Sequence, residues 1–146
     1  MSKSHKAIRQ QPTLTEVIAV YVPLLLSGYL EIKKYHWNCR GDGFIAIHRL
    51  LDEIADSLLA FSDEVAERIV ALGERVEPDT IPVLESGPKS RTYGIKDAIA
   101  GTADLLDSLA KEAEGQIPKL DPASADIFTR LTLTSQKYAW LVRANN

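Results

Sequence analysis

The sequence predicts an all-α four-helix bundle with one long crossover connection, and three observations carry that prediction. Apolar residues recur at alternating spacings of three and four in four separate windows, the period of an amphipathic helix. No window shows the strict alternation of a half-buried strand. Between the second and third windows lie roughly twenty residues, 74 to 93, broken by Pro78, Pro82, Gly87 and Pro88. So long a link in a compact domain implies that it joins helices at opposite ends of a bundle.

Residues 1–12 form an expected mobile arm, with Lys3, Lys6 and Arg9 and no acid before Glu16. The bundle domain occupies 13–146. Helix one carries Leu14, Ile18, Tyr21, Leu25, Gly28, Ile32 and Tyr35 on one face, and Thr13 with Glu16 reads as a capping box. Pro23 should kink this helix or push its regular start further on. Helix two runs from about Phe44 to Leu72 on Ile47, Leu51, Ile54, Leu58, Phe61, Val65 and Ile69, and Gly73 is its C-terminal stop. Within the crossover, Thr80 to Glu85 is the one candidate for a short helix. Helix three uses Ile95, Ile99, Thr102, Leu106, Leu109 and Ala113 and ends near Gly115. Helix four opens with Asp121 as N-cap and Pro122 at the first position, and buries Ile127 or Phe128, Leu131, Ser135, Tyr138 and Leu141 or Val142.

A chain of 146 residues with 45% hydrophobic content is one domain with its own core. The net charge of -3 argues against a body coated in basic charge for nucleic acid. No continuous apolar run reaches a membrane span's ~18 residues, and the N-terminus lacks the apolar centre of a secretory signal, so a cytoplasmic location is expected. The single Cys39 makes no internal disulfide, in keeping with a reducing compartment.

The chemistry concentrates between Tyr35 and Gly73. His48 and Asp52 stand four apart, as do Asp63 and Glu67, which sets each pair on one helix face, one turn apart. All four fall within an arc of roughly 100°, yet His48 and Asp63 lie about 22 Å apart along the axis. One helix cannot join the two pairs. Two antiparallel copies can, about a dyad between Ser57 and Leu58 that sets the His48/Asp52 pair of one chain opposite the partner's Asp63/Glu67 pair, with Ala55, Leu59 and Ala66 between them. His36, just before the Arg40-Gly41-Asp42-Gly43 turn, folds back as a third ligand on the His48 side. Imidazole with carboxylate suits iron, zinc or manganese, and the residues do not choose among them. Singly, each acid reads as solvated surface and His36 as a core histidine; the joint spacing favours a metal site. Cys39 reads more simply as a small hydrophobe than as a thiolate ligand.

His36-Trp37-Asn38, then His48-x3-Asp52, then Asp63-x3-Glu67 running into AERIxALG, resembles the signature of the Dps family of mini-ferritins, with looser similarity through Gln136 to Leu141 and over most of residues 13–142. The resemblance implies a ferritin-like bundle and a cytoplasmic or nucleoid-associated homododecamer. It implies Fe(II) oxidation, chiefly by hydrogen peroxide or else dioxygen, at sites built from His36, His48 and Asp52 of one subunit and Asp63 and Glu67 of its two-fold mate. The ferric product is stored inside the shell, which protects against oxidative damage. Trp37 is implied beside the centre in a redox role, Asp121 and Asp126 at three-fold pores, and Lys3, Lys6 and Arg9 as DNA contacts. Two competing readings stand beside it: a shell or DNA-compacting particle with an inactive or structural metal site, and a helical interaction module whose acids are only surface.

Overall fold

A computed structural model describes residues 11–77 and 93–145. The arm's Lys3, Lys6 and Arg9 and the short helix at Thr80 to Glu85 lie outside the described residues. Among the described residues five α-helices make up the four-helix bundle, because helix one is divided: α1 spans Leu14–Ala19 and α2 Tyr21–Asn38. Val20 between them stays in the right-handed region at φ -64, ψ -19. The break follows from Pro23, whose ring nitrogen has no hydrogen to give to the turn before it. The Thr13 capping box forms as its spacing predicts: the Thr13 N–H donates to Glu16 Oε2 at 2.7 Å, and the Glu16 N–H to Thr13 Oγ1 at 3.2 Å.

The next helix, α3, spans Phe44–Ala71. Gly73 ends it at φ 91, a left-handed conformation that costs glycine nothing, while the Glu74 N–H turns back to Ile69 O. After the crossover, α4 spans Ile95–Gln116. A 3-10 turn, Ile117–Lys119, leads to α5, Pro122–Arg143, which Asp121 caps through the N–H groups of Ala123 and Ser124. The hairpins α2/α3 and α4/α5 pack face to face. Leu25, Ile32, Ile54, Leu106 and Leu131 are fully buried between them, and Tyr21 meets Phe128 edge-on at 4.6 Å. Truncating one of these leucines costs about 2–5 kcal/mol.

Two features depart from expectation. Although no strand was expected, Cys39–Arg40 (β1) and Tyr93–Gly94 (β2) pair in parallel, Cys39 opposite Tyr93. Two residues are too few to carry a period, and the pairing joins positions far apart in the chain. Second, Leu14–Asn38 is long and apolar enough to cross a membrane by length and composition, with a mean hydropathy of 1.4 over its best window. A core helix passes the same test, and Ile18, Leu25 and Ile32 of this stretch sit in the bundle core. Two of its other apolar residues, Val20 and Leu24, stay exposed.

Candidate metal centre

The hairpin turn sets the last turn of α2 against the first turns of α3, which brings His36 onto His48. Their rings stack with centroids 3.7 Å apart and planes 19° from parallel. Each Nδ1 reaches the other residue's backbone carbonyl: His36 Nδ1 lies 2.8 Å from His48 O, and His48 Nδ1 lies 2.9 Å from His36 O. A carbonyl only accepts, so both Nδ1 atoms carry a hydrogen, and in the neutral ring Nε2 is then the atom left with the lone pair that binds a metal. His36 Nε2 lies 3.8 Å from Asp52 Oδ1. His36 thus lies against His48 and near Asp52.

Asp52 already has a cation. Lys33, one turn before His36, donates to Asp52 Oδ1 at 2.5 Å. That bond, and then the charges of Lys33 and of both imidazoles when protonated, hold the Asp52 carboxyl below the usual range. Spacing along α3 could not reveal Lys33; its place on the α2 face that carries His36, three residues on, was the available signal.

Asp63 and Glu67 lie further along α3, on its outward side, and neither makes a hydrogen bond or ion pair among the described residues. Among those residues no three His, Cys, Asp or Glu side chains are grouped closely enough to hold a metal ion by themselves. The chain carries two half-sites and joins neither to the other. Beside Asp63, an apolar groove of about 580 Å³ runs along α3, lined by Val22, Leu26, Leu59, Ala66 and Val76.

The other expected residues are placed as follows. Trp37 is 57% exposed, with Lys33 Nζ 5.8 Å from its ring centre. Cys39 is fully buried in the bridge to Tyr93, and burial pushes its thiol pKa up, which fits a small hydrophobe. Asp121 caps α5 and accepts from Arg68 Nη2 at 2.8 Å; the Ser124 side chain first, then its N–H and Arg68, hold its carboxyl low. Asp126 pairs with Arg130 Nε at 3.0 Å, and the same guanidinium also holds Glu64. Glu64 thus belongs to a clasp between α3 and α5.

The comparisons place this arrangement among known proteins. The ferritin-like domain matches residues 22–145, so the class is that of a ferritin-like bundle. A solved structure of a Listeria innocua Dps mutant superposes with a TM-score of 0.80 at 20% identity, over 94% of this chain and 95% of that one. The DNA protection during starvation protein of Agrobacterium fabrum is 30% identical, covering 98% of this chain and 96% of its own. DNA protection during starvation protein 1 of Deinococcus radiodurans is also 30% identical, over 90% of this chain and 68% of its own. The chain belongs to the Dps family of the ferritin-like superfamily.

Proposed function

We propose that this chain is an iron-oxidising, iron-storing mini-ferritin whose oxidation site is shared between two-fold-related subunits. The observation that carries the reading is the reciprocal lock of His36 and His48, which ties up both Nδ1 atoms and leaves both Nε2 atoms as the metal-binding nitrogens, His36 Nε2 beside Asp52. Nothing about core packing requires two imidazoles to be held in that one tautomer. Ferrous iron is the substrate: His36, His48 and Asp52 bind it from one subunit, and Asp63 and Glu67 complete the site from the mate. So few protein ligands leave coordination positions open for the oxidant. Two ferrous ions each give one electron to hydrogen peroxide, whose O–O bond breaks; its two oxygens take up two protons from solvent and leave as two waters, and two ferric ions result. Both reagents of hydroxyl-radical chemistry are consumed together.

Assembly follows from the same division. A half-site on each side of the Ser57/Leu58 midpoint is completed twice by one isologous contact, and the apolar groove beside Asp63 gives that contact something to bury. The full particle is a hollow dodecamer, cytoplasmic or nucleoid-associated, that stores the mineral. Lys3, Lys6 and Arg9 are the cations for salt-sensitive, sequence-independent DNA binding, in line with the relatives' names. Trp37, next to His36 in the chain, takes up stray electron equivalents. Asp121 and Asp126 guide cations inward at three-fold pores, weakened by Arg68 and Arg130.

Stopped-flow oxidation of Fe(II) by peroxide, with sizing chromatography on the same sample, tests the proposal. Rapid peroxide-dependent oxidation by a dodecamer is expected. A monomer, or a dodecamer that oxidises iron no faster than buffer, would overturn it.

A further inference from the structure

A hydrogen bond at Nδ1 fixes one point of an imidazole and leaves the ring free to rock about that point. Something else must hold the plane of His48. His36 stacks on one face of it, and the Phe44 ring packs against it at a tilt, with centroids 4.9 Å apart and planes 34° apart. Phe44 is the first residue of α3, four before His48 and therefore on its side of the helix. Its own position is set by the turn: the Phe44 N–H donates to Gly41 O at 3.2 Å, and the Arg40 guanidinium lies 5.8 Å from the ring centre. Arg40 in turn donates to Cys39 O at 2.6 Å and to Trp37 O at 3.3 Å. The turn thus braces the ring, and the ring braces the imidazole.

We infer that Phe44 is a positioning residue of the metal centre, the flat wall that holds the His48 ring at the angle from which Nε2 meets the metal. This rests on the metal-site reading and adds to it a residue that carries no ligand atom. A merely structural Phe44 would need bulk and apolarity; a positioning Phe44 needs an aromatic plane. That difference is measurable without turnover.

The test titrates the assembled protein with Co(II), whose visible d–d bands report ligand geometry, and repeats it on Phe44→Leu, Phe44→Met and Phe44→Tyr, with melting temperature and elution volume recorded for each. Loss of this support weakens Co(II) binding by roughly tenfold or more, the usual cost of removing an outer partner of a ligand histidine. The Leu and Met variants should show that loss with altered bands, and the Tyr variant should keep both as in the parent. Either non-aromatic variant, assembled and with the parent's affinity and spectrum, overturns the inference. Parent protein whose Co(II) spectrum is untouched by His48→Ala overturns the metal-site reading instead, so the two failures look different.

Discussion

The two half-sites on α3 differ in how much of their geometry their own chain supplies. Around His48 much freedom is removed: Nδ1 is bonded, the ring is packed by both His36 and Phe44, and Asp52 is held by Lys33. Around Asp63 and Glu67 none is removed by a polar contact, since neither has a partner among the described residues. Imidazole is directional and must be aimed beforehand, whereas a carboxylate on a helix face can adjust to an ion that arrives. On the proposed function, the chain invests its ordering contacts where orientation matters and leaves the flexible ligands for the neighbour.

The largest expected effect breaks that comparison outright. His48→Ala and the double variant Asp63→Asn/Glu67→Gln should each abolish rapid iron oxidation. Unfolded together and reassembled in equal amounts, they should regain about a quarter of the parent rate. Half of random two-fold pairs are mixed, and each mixed pair holds one intact site out of two. No recovery would mean that the two half-sites never meet. Next in size, Asp121→Ala should cost about 1 kcal/mol in denaturant unfolding through the lost helix cap, whereas Asp121→Asn should cost less, because it still caps.

Lys33→Met sharpens the contrast by removing the cation that now shares Asp52. Ferrous iron should bind more tightly, by up to roughly tenfold, one pKa unit's worth of differential interaction. The same variant has an acid-side signature. Asp52 has a lowered folded-state pKa, so its stabilising contribution is present above the unfolded value near ~3.9 and is lost as pH falls through the folded value. Unfolding curves between about pH 2 and 5 should therefore be flatter for Lys33→Met than for the parent. Smallest of all, Arg130→Ala frees Asp126 and Glu64, and initial iron uptake should rise by less than about twofold, with stability changed by under ~1 kcal/mol as for other exposed pairs.

Helices were legible because each carries many apolar residues at one period, and their ends because Thr13, Gly73 and Asp121 act on the adjoining turn. The convergence of His36 on His48 could be read from the short turn between them. What stayed hidden depends on contacts across the bundle: the β1/β2 bridge, the Lys33–Asp52 pair, and the Arg68 and Arg130 clasps. Their residues have no spacing to betray them, since the partners lie far apart in the chain. The tautomer lock was hidden for another reason, because the histidines' partners are backbone carbonyls, which every residue has.

The β1/β2 bridge also sets a minimum length of chain. Tyr93 lies beside the start of α3 and Gly73 at its far end, so any chain joining them has the length of a 28-residue helix to cover, about 42 Å. Nineteen residues stretched at ~3.3 Å each reach about 63 Å, which leaves slack for the loss of only some six. Insertions there should be harmless; deletions beyond that number would tear β2 from β1 and let go of the turn from which Phe44 and His48 hang.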